Sequence, residues 1–126
     1  MAKITSDMAI CAYKIANDVF NNKLTRTEGK TEIARLSGMG VGSAGDYITV
    51  FLSMMDGQCY KRTINLFATE YYLEHIGIEA QQRAAKAVSE HVQYYKTKHG
   101  YLAQTDALAK KYICCWFLKI KEWYLI

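Results

Sequence analysis

Proline is absent from all 126 residues, so no position along the chain lacks a backbone donor or forces a helix to stop by ring geometry. Interruptions must then come from glycine and short polar runs. Gly38, Gly57, Gly77 and Gly100 divide the chain into stretches whose apolar residues recur at helical spacing. With 51% of residues hydrophobic, those stretches have enough apolar surface to pack on one another. The expectation is an all-α fold, a single compact bundle of five or six helices containing a helix-turn-helix-like unit. Residues 1–100 are expected to form the helical core domain, and residues 101–126 an apolar C-terminal helix or tail that is not an independent domain.

Capping signals place the helices. Ser6 is a plausible N-cap for a first helix whose Met8, Cys11, Ala12, Ile15, Ala16, Val19 and Phe20 share a stripe. Thr25 stands three residues before Glu28, the reciprocal arrangement that satisfies two backbone amides, and this second helix should stop at Ser37-Gly38. Ser43 and Asp46 repeat the spacing for a third helix ending near Asp56-Gly57. A fourth is expected from about Lys61 to His75 with Ile64, Phe67, Ala68, Tyr71 and Tyr72 toward the core. A fifth is expected from Ile78 to Lys98, and a last one capped by Thr105-Asp106.

Residues 26–56 have the pattern of a helix-turn-helix. Ala34 supplies a small residue on the first helix, Gly38 the turn, and Ala44, Tyr47, Ile48 and Phe51 the apolar face of the second. In such a unit the start of the second helix approaches DNA, which here exposes Gly42, Ser43 and Asp46. None is Arg, Lys, Asn or Gln, the residue types that pair with base edges. Phosphate contact through Ser43 and the free helix-start amides fits better than sequence-specific readout. The stretch Tyr60-Lys61-Arg62-Thr63-Ile64-Asn65 adds a cationic pair, with Tyr60 and Asn65 placed to meet a base, and Arg35 adds a further cation. Duplex DNA, held by its backbone and open to inspection for a modified base, is the expected partner.

Other classes find less support. A net charge of +4 permits polyanion binding without demanding it. Cys11, Cys59, Cys114 and Cys115 fit neither a disulfide framework nor, with His75, His91 and His99, a zinc site, so reduced thiols, no metal and no cofactor are expected. Glu70 and Glu74 share a helix face without an accompanying nucleophile, and no catalytic residue is assigned. No run approaches the roughly 20 apolar residues of a membrane span and the start lacks a signal-peptide core, giving a cytoplasmic protein as the expectation. The tail from Tyr112 onward lacks polar alternation. Trp116, Phe117 and Trp123 are therefore candidates for a protein interface, in a homodimer or with another chain, and this is the alternative function.

The runs Gly38–Gly57, Tyr60–Asn65 and Ala68–Leu73 resemble a helical module at the amino end of prokaryotic HNH-type, modification-dependent restriction endonucleases, over about residues 15–95. The resemblance implies a DNA-engaging or modification-sensing part of a restriction or defence system, with cutting done by a separate HNH domain. The paired histidines and asparagine of such a domain do not occur in this sequence, and the aromatic strip after Gly100 departs from a linker into one.

Overall fold

A computed structural model describes the backbone of residues 3–124 and the side chains of residues 3–113. The described residues form six α-helices and no strand: α1 (Ser6–Phe20), α2 (Arg26–Ser37), α3 (Val41–Asp56), α4 (Leu66–His75), α5 (Ile78–Lys98) and α6 (Ala103–Tyr124). They fall into two compact units, Met1–Leu52 with Arg62–Tyr72, and Ser53–Lys61 with Leu73–Ile126. The chain passes from one to the other within α3, between Lys61 and Arg62, and within α4.

In the first unit, α1 packs on α2. Gly29 makes that approach possible: a Cβ there would lie 2.7 Å from Val19 Cγ2 and 3.1 Å from Ile48 Cδ1. The small residue that lets α2 close on its neighbours is thus Gly29, whereas Ala34 is only half-buried. Ala9, Ala12 and Ala16 of α1 are fully buried, as are Ile33, Ala44, Ile48 and Phe51. Tyr13, Phe51 and Tyr72 meet in a ring cluster. Phe51 stands edge-on to Tyr13 at 5.4 Å and to Tyr72 at 5.6 Å, the arrangement the ring quadrupole favours. The Tyr72 hydroxyl donates to the Tyr47 carbonyl at 3.3 Å, so its burial leaves no polar group unmet.

In the second unit, α5 packs along α6. Ala80, Ala84, Ala85 and Ala87 with Val88 and Val92 form the buried side of α5, and Leu108, Ala109 and Tyr112 are buried on α6.

Several helix ends differ from expectation, each for a local reason. α1 is capped by Thr5, whose Oγ1 accepts from Met8 N at 3.2 Å, so Ser6 is already its first helical residue. α3 starts at Val41 because the Gly40 carbonyl accepts from Ala44 N at 2.9 Å, which puts Ser43 inside the first turn. α4 starts at Leu66, not near Lys61, because Asn65 takes the cap: its Oδ1 accepts from Ala68 N at 2.8 Å and its carbonyl from Thr69 N at 3.1 Å. Lys61 and Arg62 consequently lie in a loop, and Phe67 is partly exposed against Tyr71. α6 starts at Ala103, two residues before the expected Thr105-Asp106 cap, because the Leu102 carbonyl accepts from Asp106 N at 2.9 Å. The Thr25–Glu28 box of α2, its stop at Gly38 and the full extent of α5 agree with the sequence expectation.

Candidate nucleic-acid interface

The helix-turn-helix-like pair forms as α2, a turn and α3. Gly38 takes φ 81°, a left-handed conformation that glycine adopts without steric cost. Ser37 Oγ braces the turn by donating to the Ile33 carbonyl at 2.6 Å and accepting from Met39 N at 3.2 Å. Gly38 and Gly40 remain exposed on either side of buried Met39. Gly42 is open on the first turn of α3, where a Cβ would meet nothing within 4 Å, and Ser43 is half-buried beside it.

Lys30 of α2 lies along Gly45 of α3, and the arginines nearby are engaged. Arg26 is turned onto α3, donating to the Gly45 carbonyl at 3.2 Å and to Thr49 Oγ1 at 2.6 Å. Arg35 forms a two-point pair with Glu32, which holds the carboxyl below its usual range and raises the guanidinium. Arg62 Nε stands 4.0 Å from Asp46 Oδ1, an acid on α3 itself. A phosphate arriving here would compete with Glu32 for Arg35, with Asp46 for Arg62, and with the Gly45 carbonyl and Thr49 hydroxyl for Arg26.

Two of the expected base contacts are internal. Tyr60 is 4% exposed, stacked on His91 with ring centroids 4.3 Å apart and planes 17° from parallel. Burial pushes its phenol far above the ordinary range. Asn65, besides capping α4, donates from Nδ2 to the Ile4 carbonyl at 3.4 Å. Neither presents a free recognition group to solvent. Trp116, Phe117 and Trp123, expected at a protein interface, lie outside the described side chains.

Lys61 leads to a different place. It belongs to the second unit, and its Nζ sits 5.9 Å from the centre of the Tyr94 ring near the end of α5. Lys98, four residues after Tyr94, follows on the same helix face, and both lysines are exposed. On another flank of that helix end, Lys96 Nζ lies 5.6 Å from the centre of the Tyr101 ring. The Tyr101 hydroxyl donates to Asp106 Oδ2, and Lys110 Nζ reaches the same oxygen at 3.1 Å. These contacts hold the Asp106 carboxyl below its usual range, the Tyr101 hydrogen bond contributing most. The acid is 5% exposed and its charge is paired with Lys110.

The carboxyl end of α5 thus carries two lysine–tyrosine groups on different flanks, Lys61 and Lys98 by Tyr94, and Lys96 and Lys110 by Tyr101. Lysines in the last turn also offset the partial negative charge of the helix terminus, which accounts for Lys96 and Lys98 locally. Lys61 comes from the loop before α4 and Lys110 from α6, and neither is required for that local purpose. The sequence signal was the run Tyr94-Tyr95-Lys96-Thr97-Lys98-His99-Gly100-Tyr101, in which aromatics and bases interleave.

His91 ties the loop bearing Lys61 to α5. Its Nδ1–H donates to the Tyr60 carbonyl at 2.6 Å inside the second unit. Burial lowers its pKa below the ordinary 6.5, with the carbonyl bond acting weakly the other way. The fold therefore prefers the neutral ring. Its contribution to stability is complete above about pH 6.5 and is lost as pH falls from there through the lowered folded value. Urea midpoints measured from pH 7.5 to 5 should decline through this window, and His91→Asn, which keeps a donor but does not titrate, should give a flatter profile. Parallel profiles for the two proteins would remove His91 as the cause.

Other hollows in the second unit lie along Arg83, lined by Met55, Ile78 and Glu79 on one side and by Lys86 and Ile113 on the other. Arg83 is already engaged, donating to the carbonyls of Met55 at 3.1 Å and Glu79 at 3.3 Å. Among the described residues, no three His, Cys, Asp or Glu side chains cluster to hold a metal ion, and no helix is long and apolar enough to cross a membrane. Comparison with known protein families, curated proteins and solved structures finds no match for this chain.

Proposed function

We propose that this chain is a non-enzymatic nucleic-acid-binding module that engages phosphates through the carboxyl end of α5. The observation that supports the reading is a pair of lysine–tyrosine groups at this helix end, Lys61 with Tyr94 on one flank and Lys96 with Tyr101, Asp106 and Lys110 on another. Asp106, the acid bonded to Tyr101 and Lys110, is buried. Flexible lysines act here as point charges that track a phosphate backbone without reading its sequence. The α2–α3 pair, with its cations engaged by Glu32, Asp46 and the α3 backbone, is assigned a structural part. The resemblance to the DNA-engaging part of HNH restriction endonucleases agrees with a place in a restriction or defence system.

Fluorescence anisotropy of a labelled oligonucleotide across a salt series tests this. Four phosphate contacts predict that log affinity falls with log salt at a slope of about −3 to −4 on duplex and about −3 on a single strand. A slope near zero, or no binding at 50 mM salt with protein at tens of micromolar, overturns the assignment.

A further inference from the structure

We infer that the α5 end takes single-stranded in preference to duplex DNA, with Tyr101 as a fixed stacking platform for one base and Lys96 and Lys110 beside the flanking phosphates. This rests on the nucleic-acid reading above and gives that site its substrate class.

Tyr101 is 53% exposed, yet its position is held at several points. Gly100, at φ 131°, turns the chain sharply after α5, in a conformation that residues with a side chain rarely adopt. The Tyr101 hydroxyl is anchored on Asp106, and Asp106 is held in the first turn of α6 by Lys110 at 3.1 Å. Lys96 then stands 5.6 Å from the ring centre. A large ring is thereby kept at the surface, with its polar end satisfied at Asp106 and the Lys96 ammonium over one face, so that a base would stack on the opposite face.

That combination suits a base whose face is open. Stacking on an aromatic ring needs an unpaired, unstacked base, which a single strand offers and an intact duplex encloses. The element carrying the lysines argues in the same direction. The two lysine groups lie on different flanks of the helix end, and a flexible strand can bend to meet both where a stiff duplex cannot. Tyr94, half-buried beneath Lys61, offers a second aromatic edge on the other flank, with Lys98 one turn on.

The test uses the full chain with a fluorescein-labelled 20-nucleotide thymidine strand and a 20-base-pair duplex, both by anisotropy at 0.1 M salt. The wild type should bind the strand more tightly than the duplex. Tyr101→Ala should weaken strand binding about 5- to 150-fold while leaving the salt slope unchanged. Tyr101→Phe, which keeps the ring, should retain most of the affinity, and circular dichroism of each variant establishes that it is folded. Equal or tighter duplex binding, or indifference of strand binding to Tyr101→Ala, overturns the single-strand assignment while leaving phosphate binding standing. A loss in Tyr101→Phe as large as in Tyr101→Ala also overturns it, because the Asp106 bond rather than the ring face would then carry the effect. Binding of neither probe overturns the underlying reading as well.

Discussion

Truncating Phe51 to alanine should cost about 3–5 kcal/mol of unfolding free energy, the usual range for a fully buried ring. Phe51 is 1% exposed and stands edge-on to both Tyr13 and Tyr72, so the substitution empties the centre of the cluster that α1, α3 and α4 share in the first unit. Each lost edge-to-face contact contributes about 0.5–1.5 kcal/mol beyond buried area. The Tyr72 hydroxyl, bonded to the Tyr47 carbonyl, fixes one wall of the resulting void and limits its collapse. In urea the midpoint should fall by about 2 M at the slopes typical of domains this size. Phe51→Leu, which refills much of the volume, should recover more than half of the loss. A cost under about 1 kcal/mol for alanine would show that the ring cluster does not carry the core of this unit.

The parts of the fold legible in the sequence are those in which a signal and its physical effect lie within one helical turn. Thr25 and Glu28 satisfy each other's backbone amides, Gly38 supplies the positive φ that stops α2, and the alanine face of α5 runs unbroken between Gly77 and His99. The start of α4 was harder to read because charged residues before an apolar run resemble a helix start. Lys61-Arg62 precede an apolar run at helical spacing, but Asn65 captures Ala68 N and begins the helix one turn later. Choosing between Gly29 and Ala34 as the point of closest approach requires knowing that Val19 and Ile48 converge there, and residues from two other helices leave no local mark.

For the candidate site the obstacle was the same. Tyr60 looked like an exposed stacking residue because its neighbours are charged, whereas its burial depends on His91, 31 positions away. Adjacency made Lys61-Arg62 look like one cluster, yet Lys61 goes to Tyr94 and Arg62 to Asp46. The interleaved run from Tyr94 to Tyr101 was visible as composition, but its meaning depends on Lys61 and Lys110 arriving from other elements.

That contrast between the two groups of cations gives the second large effect. Reversing Lys61 and Lys98 together to glutamate should lower affinity for the labelled strand at least tenfold at 0.1 M salt, and should bring the salt slope about 1.4 closer to zero, about 0.7 for each contact removed. Both side chains are exposed and neither takes part in an ion pair that the reversal would strand, so the folded state should survive the change. Reversing Arg35 and Arg62 makes the matched comparison, with the same change in net charge made on the cations of the first unit. Those two have carboxylates beside them, Glu32 in a two-point pair with Arg35 and Asp46 at 4.0 Å from Arg62, which a phosphate would have to compete with. Their reversal should move the affinity by less than about threefold, the share attributable to net charge acting at long range through screening salt. The opposite ranking, with Arg35 and Arg62 dominant, would return the phosphate contacts to the start of α3. Equal losses from both pairs would instead mark the attraction as a property of total charge, since a built site must distinguish between lysines that surround an aromatic platform and arginines that face carboxylates.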